Sequence, residues 1–586
     1  MSKLGKITAV LMSTVMLFSC SGCSYFFEVT KDESIGTFEE FCDRLVKETI
    51  EDNSLNAHYT VTNPEDYGVT FTEEDYTLGV VELNDIDEAY KELRDTYDEL
   101  KSFNYSTLTD EQQLTYDILA DYMEKQLAYE GTDEIVNLFA PNNGLISNLS
   151  TNFIEYQFYE EEDVEQYLMI LKSVETYMDS AFDFTREQSE KGYFMPDKLT
   201  DKVIEACETY INAENEPLLI TFEDKINKLN LTEEEKSAYI KTNEEYVDKY
   251  YLPVYQKTID LMEELKGSGI NDGGLAGYGK IGVKYYEAIV ADKTSSDITP
   301  EELAEYLDEA MSDVLSELTT IYMLDEESYM GVDTYQPDFD NPNEVTEFLL
   351  DNMTDKFPVP YTEEYAIEYQ NSACEIEGTL AYYVSSRIDD ISINNIKVNG
   401  SAVKDDSLTM YLTLAHEGYP GHLYQFTAAY GNEDMPTVRK ILDFIGVTEG
   451  WAEYSSNVCT DYLDISDNLK EMIYLNDIFS YIVCSRLDVG VNYEGWSIDD
   501  AYDYLSEYIV CDDETVEGLY YDVVGDPGIF LPYTVGHLQM RDLREKAEDE
   551  LGNKFDEKEY HQFLMDIGIA PFGVIEDELE EWLAKK

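Results

Sequence analysis

Basic residues are scarce in this chain. Its 586 residues include 39 lysines and arginines against 125 aspartates and glutamates, which gives a formal net charge of -86. A surface of that charge repels nucleic acid and anionic lipid headgroups, so nucleic-acid binding is excluded. We interpret the charge as a source of solubility or salt tolerance rather than of attraction for cationic substrates. Hydrophobic residues still make up 43% of the chain, which is enough for a large core.

Two common motif classes are missing. The cysteines beyond the N-terminus are too far apart for a cysteine-based zinc module, and export would permit disulfides whose pairing the sequence leaves open. The glycine-rich stretch 267–280 lacks the Gly-Lys-Ser/Thr ending of a phosphate-binding loop, so it predicts a loop or boundary. These cysteines are Cys42, Cys207, Cys374, Cys459, Cys484 and Cys511.

Hydrophobic runs are short. Ile7–Phe18 follows Lys3 and Lys6 and is too short to span a bilayer stably, which is typical of an export signal. No later segment of the sequence is apolar enough to cross a membrane. We therefore expect an exported chain that is tethered outside the cytoplasm rather than embedded.

The end of this signal has the pattern of a bacterial lipobox. In Met16-Leu-Phe-Ser-Cys20 a leucine stands three residues before the cysteine and a serine just before it, so Cys20 is the predicted lipidation site. Cys23 is the alternative, and an ordinary cleaved signal without lipid is another. Residues 1–20 are then the signal peptide and residues 21–36 a tether, so the membrane is contacted only through the lipid.

Helical patterns dominate the rest of the chain. Residues 37–270 have apolar residues at helical spacing and form a predicted N-terminal helical region. Thr299-Pro300 predicts a further helix start, with Thr as the N-cap and Pro in the first position. Residues 376–398 are rich in β-formers and predict a small sheet or hairpin within a second helical region, 271–586. The predicted fold class is mainly α.

Histidine is rare as well, yet two of the five histidines lie close together in Leu414-Ala-His-Glu-Gly-Tyr-Pro-Gly-His422. Two histidines four residues apart on a helix can bind one metal ion, as in the H-E-x-x-H motif. A spacing of six on a regular helix would leave His416 and His422 about 120° apart. Pro420 breaks the helix and Gly421 permits unusual dihedral angles, so we expect the extra residues to loop out and return His422 to the face of His416.

Zinc also needs a third protein ligand and an open position for water. Glu449 and Glu453 are four residues apart and share one face of a predicted helix. Their setting, Glu-Gly-Trp-Ala-Glu-Tyr, resembles the Asn-Glu-Gly-Phe-Ala-x-Tyr segment of zinc aminopeptidases, in which the first Glu is the ligand. We therefore predict that Glu449 binds the metal and Glu453 supports a ligand histidine from outside; solvated helix acids are the alternative.

These residues predict a hydrolytic mechanism with one Zn²⁺ ion, held by His416, His422 and Glu449. The ion would acidify a bound water and polarise a scissile carbonyl. Glu417 would act as the general base, taking the proton of the water and delivering it to the leaving group.

The combination of LAHEGYPGHLYQ and TEGWAEY resembles the bacterial DUF885 family, whose signature is His-Glu-x-x-Pro-Gly-His followed by Glu-Gly-Trp-Ala. The similarity is greatest over residues 275–575. The family in turn resembles helical zinc peptidases, which implies a zincin-like body with a deep cleft, a small sheet beside the metal, and metallopeptidase activity. An edge strand such as Ile391–Val398 would then bind an extended peptide, with Asn395 as a candidate contact.

The resemblance leaves the other substrate contacts open. The family often has His where this chain has Asn492, so Tyr533 is the predicted oxyanion donor by analogy with related peptidases; a core tyrosine is the alternative. Arg486 and Arg544 are predicted to bind a substrate carboxylate, and structural ion pairs are the alternative. His537 and His561 are expected to be packed or exposed helix residues rather than ligands.

The sequence thus predicts an exported, lipid-anchored zinc metallohydrolase that cleaves peptide bonds of oligopeptides. One alternative is a metal-dependent amidase or hydrolase of a non-peptide or cell-wall substrate. Another is a non-catalytic surface-binding lipoprotein with a vestigial site. A peptide or small amide is the expected substrate, whereas endo- or exo-cleavage and the oligomeric state stay open.

Overall fold

The computed structural model of the protein describes residues 36–81, 83–213, 215–375, 379–402 and 406–586. The predicted signal peptide, the lipidation site Cys20 and the tether up to residue 35 lie outside these ranges. Helices predominate and three short strands form one small sheet, so the predicted mainly α fold class is confirmed.

The helices and strands follow one another in three stretches of the chain. The first contains α1 (Phe38–Asp52), α2 (Ser54–Thr60), α3 (Leu83–Ser102), α4 (Asp110–Ala128), α5 (Leu145–Glu155), α6 (Glu161–Glu190), α7 (Asp197–Ile211), α8 (Pro217–Lys228), α9 (Glu233–Tyr246) and α10 (Leu252–Leu265). The second contains α11 (Lys280–Lys293), α12 (Pro300–Leu324), α13 (Glu326–Gly331), α14 (Pro342–Met353), β1 (Ala366–Tyr369), β2 (Ala381–Val384) and β3 (Asn395–Val398). The third contains α15 (Ser407–Glu417), α16 (His422–Gly431), α17 (Thr437–Lys440), α18 (Ile445–Val458), α19 (Asp467–Val489), α20 (Ile498–Tyr508), α21 (Asp513–Gly525), α22 (Leu531–Leu551), α23 (Glu557–Ile567) and α24 (Phe572–Lys585).

Side-chain caps fix where several helices begin. The hydroxyl of Thr37 accepts a hydrogen bond from the backbone N–H of Glu40 at the start of α1, and the Glu40 side chain accepts one from the backbone N–H of Thr37. Thr299 and Glu302 form the same capping box at the start of α12, with Pro300 in the first position, as predicted.

The sheet has the strand order β1-β3-β2. β3 pairs with β1 in parallel and with β2 in antiparallel orientation. β2 and β3 lie within the predicted range 376–398, and β1 precedes it. The prediction that Ile391–Val398 contains an edge strand is wrong, because β3 is hydrogen-bonded on both sides and cannot pair with a substrate. The edges are β1 and β2.

Buried apolar side chains form three clusters. One extends over α5–α10, and another over α11, α12 and α19–α22. The remaining cluster joins α1 and α4 to the sheet and to the helices α14–α18 and α22–α24. The first helices of the chain therefore share a core with the helices that carry the candidate site.

A cleft of about 380 Å³ lies between these parts of the molecule. Tyr59 of α2 and Tyr122 of α4 line one part of it, and Tyr285 of α11 and Phe426 of α16 line another. Ser385, which follows β2, also lines the cleft. The expected deep cleft is therefore present, and the outer strand β2 leads into it.

Candidate metal centre

A short break separates the helices that carry the two histidines. α15 ends at Glu417 and α16 begins at His422, so the helix break predicted from Pro420 and Gly421 is present. The N–H of Gly421 donates to the carbonyl of Ala415 at 2.9 Å. A Cβ at Gly421 would lie 1.8 Å from the His416 carbonyl oxygen, so only glycine permits this approach.

Glycines also let α18 and α22 cross in close contact. A Cβ at Gly450 would lie 2.4 Å from the carbonyl carbon of Gly536. Next to Gly450, the buried Trp451 donates its Nε1–H to the Pro420 carbonyl at 2.8 Å. α18 is thereby fixed against both α22 and the loop between the histidines, and this fixes the position of Glu449.

The two imidazoles and the Glu449 carboxylate converge in the interior. His416 Nε2 and His422 Nε2 are 3.1 Å apart, and Glu449 Oε2 lies 3.4 Å from each of them. All three side chains are buried, with His416 8%, His422 1% and Glu449 2% exposed. The structure thus brings the three predicted ligands together, within 4.8 Å of one another.

The shape of this group fits a zinc ion. Tetrahedral bonds of about 2.0–2.2 Å place neighbouring ligand atoms about 3.3–3.6 Å apart, close to the observed triangle. Glu449 Oε2 is buried and has no hydrogen-bond partner among the residues described. Two imidazoles and one carboxylate are also the donor set of hydrolytic zinc sites with an open fourth position.

At this centre the charges of neighbouring side chains outweigh burial in setting the pKa values of Glu449 and His416. Burial opposes ionisation of Glu449, but the charges of His422 and His416 outweigh it and lower the pKa of Glu449 to about 2. Burial likewise favours neutral His416, but the Glu449 and Glu453 carboxylates raise the pKa of His416 well above its usual range. The buried carboxylates therefore require a positive neighbour, which can be an imidazolium or a bound cation.

Glu453 contacts His416, the histidine nearest to it in the triangle. Its Oε1 lies 3.3 Å from His416 Nδ1 and accepts a hydrogen bond of 2.9 Å from the Tyr481 hydroxyl. An acceptor at Nδ1 keeps the proton on that nitrogen and leaves Nε2 with the lone pair that a metal needs.

Glu417 lies beside the triangle without taking part in it. Its Oε2 accepts the backbone N–H of Tyr383 at 2.9 Å, and its Oε1 is 3.9 Å from His416 Nε2. Oε1 is buried and has no hydrogen-bond partner within the described chain. Burial raises the pKa of Glu417, against the opposing effect of the two histidines. One carboxylate oxygen is thus anchored, and the other is available to a ligand.

The contact from Tyr383 identifies the strand beside the site. Tyr383 belongs to β2, whose other side pairs with β3, so its N–H points outward from the sheet to Glu417. β2 rather than β3 is therefore the edge strand next to the centre. Asn395, on the central strand, lines a separate small cavity and does not reach the metal-ligand triangle.

The two arginines predicted to bind substrate make ion pairs instead. Arg486 pairs with Asp308 and Glu494, and Arg544 pairs with Glu548 and Glu557. These pairs leave neither guanidinium in contact with the candidate centre, and the structural alternative describes both better.

Tyr533 and Asn492 lie in packed surroundings. The Tyr533 ring stacks on Tyr481 with centroids 5.9 Å apart, and the Tyr481 hydroxyl donates to Glu453. Asn492 donates to the Val523 carbonyl and accepts from the Leu275 N–H, which ties loops and helices together. The contacts of Asn492 hold it away from the triangle as a structural residue, and the role of Tyr533 stays a prediction.

Sequence reasoning missed two residues behind His416. Tyr481 and Asp477 line a cavity of about 110 Å³ together with His416, Glu453 and His537. The spacing of Asp477 and Tyr481, four residues apart on α19, was the available signal, since it places both on one face.

His537 is packed, as expected, against Tyr474. His561 is also packed, bonded to the Tyr454 hydroxyl and the Lys356 carbonyl.

Fold and site together define a helical protein with a buried His-His-Glu centre beside an edge strand. The chain belongs to the DUF885 family, bacterial proteins of unknown function, whose family model matches residues 65–579. No curated protein matches it.

Two solved structures are similar over most of their length. One is described as "the putative lipoprotein from Colwellia psychrerythraea"; it is 16% identical, with a TM-score of 0.78 over 94% of this chain and 98% of that one. The other, "a putative lipoprotein of unknown function from Shewanella oneidensis", is 15% identical, with a TM-score of 0.65 over 92% and 99%. These similarities establish the fold. None of the described helices is long and apolar enough to cross a membrane.

Proposed function

We propose that this protein is a zinc-dependent metallohydrolase that cleaves peptide bonds. The observation that carries the proposal is the buried triangle of His416 Nε2, His422 Nε2 and Glu449 Oε2, with edges of 3.1, 3.4 and 3.4 Å. These three residues would hold the ion. Zinc bound there would act as a Lewis acid and make water a stronger acid.

Glu417 is the general base of this proposal. Its Oε2 is fixed by the Tyr383 N–H, which aims Oε1 at the space beside the triangle. A raised pKa makes the carboxylate a better proton acceptor, so Oε1 can take a proton from water and later pass it to the leaving amine. Glu453 and Tyr481 hold His416 in the orientation that this requires.

A peptide is the substrate that the surroundings favour. The outer edge of β2 lies next to Glu417, which accepts the Tyr383 N–H, and an extended peptide can pair with the main-chain groups of this edge that Glu417 does not occupy. The cleft of about 380 Å³ continues from Ser385 and gives room for several side chains of the substrate.

The proposed location is outside the cytoplasm, with a lipid anchor at Cys20. The apolar run before Cys20 and the lipobox pattern support export and lipidation. Both similar structures are described with the words "putative lipoprotein", and this agrees with the proposal.

Metal analysis combined with Glu417→Gln tests the reaction. We expect one zinc ion per chain in both proteins, because Glu417 is not a ligand. Hydrolysis of a peptide library should fall about 10²- to 10⁴-fold in the variant, because the general base is lost. Glu576→Gln, a change at a surface acid paired with Lys546, is the matched control and should keep full activity.

Three results would contradict the proposal in whole or in part. Metal-free preparations of both proteins that gain no activity with added zinc would remove the metal centre. Equal activity of wild type and Glu417→Gln would remove the assigned base. Cleavage of non-peptide amides alone would replace the peptide substrate by the amidase alternative.

A further inference from the structure

Arg387, three residues beyond β2, differs from the other arginines of this acidic chain. Each of the other seven has a carboxylate oxygen within 4.0 Å. In the described parts of the chain, Arg387 has no such partner. The paired arginines are Arg44, Arg94, Arg186, Arg439, Arg486, Arg541 and Arg544.

Other groups hold Arg387 in place. Its Nε donates to the His58 carbonyl at 3.0 Å, and its guanidinium lies over the Tyr159 ring at 4.1 Å. Neither terminal nitrogen makes a hydrogen bond to a described residue. Because Nε and one face are fixed, the two terminal nitrogens form an oriented fork of donors.

Arg387 lines a small cavity next to the cleft. The cavity measures about 30 Å³, which is room for a carboxylate-sized group, and Asn395 lines it. Ser385 and Ser386 line both this cavity and the large cleft, so the two spaces share a wall. His58, which is 9% exposed, also lines the cavity, and its Nε2 is buried without a hydrogen-bond partner among the described residues.

The acids that line the cavity are already engaged. Glu155 accepts the Tyr382 hydroxyl at 2.8 Å and lies 3.5 Å from Lys397. Asp390 accepts the backbone N–H of Ser392 at 2.9 Å. Neither carboxylate lies within 4.0 Å of the Arg387 guanidinium, so its charge is left for a ligand.

We propose that Arg387 binds a carboxylate of the peptide substrate, either the free C-terminus or an acidic side chain. This inference rests on the proposed function and names a specificity-determining residue for it. Arg387 stands four residues after Tyr383, at most about 13 Å along an extended chain. Tyr383 contacts the general base, so the bound carboxylate lies within a few residues of the cleaved bond. Arg387 thereby replaces Arg486 and Arg544 in the predicted role.

Matched peptides and Arg387→Met test this role. One pair of peptides differs only in a free or amidated C-terminus, and a second pair, amidated, differs only in an internal Glu or Gln. The wild type should prefer the acidic member of one pair, and that pair identifies the source of the carboxylate. In Arg387→Met, KM for the preferred acid should rise about 10- to 100-fold, with kcat little changed and the uncharged member unaffected. Arg387→Lys should restore part of the preference.

Arg94→Met is the control, because Arg94 is a half-exposed arginine that pairs with Glu130 and does not line the cavity. It should leave both preferences unchanged. Zinc content and thermal unfolding establish whether each variant is folded. If Arg387→Met does not fold, the peptide preferences of Arg387→Lys decide whether Arg387 binds the carboxylate. An unchanged acid preference in a folded Arg387 variant, or no preference in the wild type, overturns the inference.

Binding in a Glu417→Gln background separates this inference from the proposed reaction. Calorimetry with the same peptides should show the same loss of acid preference when Arg387→Met is added. If Arg387→Met abolishes the acid preference in calorimetry but the wild type cleaves none of the peptides, the carboxylate site is supported and the hydrolase is refuted. Absence of peptide binding by the Glu417→Gln protein would refute the carboxylate site.

Discussion

Two groups of buried acids in this protein differ in how their oxygens are satisfied. At the candidate metal centre, Glu417 Oε1 and Glu449 Oε2 are buried without a hydrogen-bond partner in the described residues. Asp488 on α19 is equally buried, but its carboxylate accepts the Tyr286 hydroxyl at 2.5 Å, the Gly528 N–H at 2.8 Å and the Asn492 amide at 3.4 Å. A structural acid needs such partners, and buried oxygens that lack them point to a ligand.

The pKa of the acids does not make this distinction. Burial raises the pKa of Asp488 to about 7 in spite of its hydrogen bonds, and burial also raises the pKa of Glu417. What separates the two groups is that the unpartnered oxygens lie at the candidate metal centre.

Removing a ligand should give the largest effect. In His422→Ala, zinc affinity should fall by more than the roughly 100-fold that loss of an outer-sphere partner costs, because one of three protein ligands is gone. Competition with a chelator measures this. His561→Ala removes a buried histidine whose two nitrogens are hydrogen-bonded, so it should lower stability and leave zinc affinity intact. Equal zinc affinity of the two variants would contradict the assigned ligand set.

The hydrogen-bonded acid Asp488 should make the free energy of unfolding depend on pH. The folded pKa of Asp488 is about 7, above its value of 3.8 when unperturbed, so its contribution to stability is complete below about pH 4 and is lost as pH rises through 7. Relative to Asp488→Asn, the wild type should therefore lose about 4 kcal/mol of unfolding free energy between pH 4 and 7. Denaturant titrations across this range measure the difference. The exposed Asp549→Asn is the control, and the same pH slope in both variants would refute the prediction.

The glycine crossing of α18 and α22 should tolerate no side chain. Gly450→Ala places a methyl group against the Gly536 backbone and should reduce the unfolding free energy by about 1–3 kcal/mol. Gly518→Ala on α21 is the matched control, because a Cβ there meets nothing within 4 Å. It should stabilise the protein by up to about 1 kcal/mol through helix propensity. Effects of the same sign in both variants would argue against the close contact.

Loss of the hydroxyl behind Glu453 should have the smallest effect. Tyr481→Phe removes one donor to the carboxylate that orients His416, and zinc affinity should fall about tenfold. Tyr306→Phe, which removes a hydroxyl bonded to Asp542, is the control and should not change zinc affinity. A fall of the same size in both would indicate a general loss of stability.

Predictions from the sequence were good where the interaction is local. Pro420 and Gly421 predicted the helix break, and the four-residue spacing of Glu449 and Glu453 predicted their shared face. Predictions that depended on distant partners were poorer. Arg486 pairs with Asp308, which is 178 residues away in the sequence. The central position of β3 depends on its pairing with β1, a strand that had not been predicted.

The chain by itself determined the mainly helical fold, the residues of the centre and the interruption between the two histidines. All of these follow from backbone preferences and spacing over a few residues. Only the tertiary structure decided which strand faces Glu417, which arginine is left without a carboxylate, and which buried oxygens lack a partner. Whether a polar group is satisfied depends on neighbours that folding brings from elsewhere in the chain, and no short stretch of sequence contains that information.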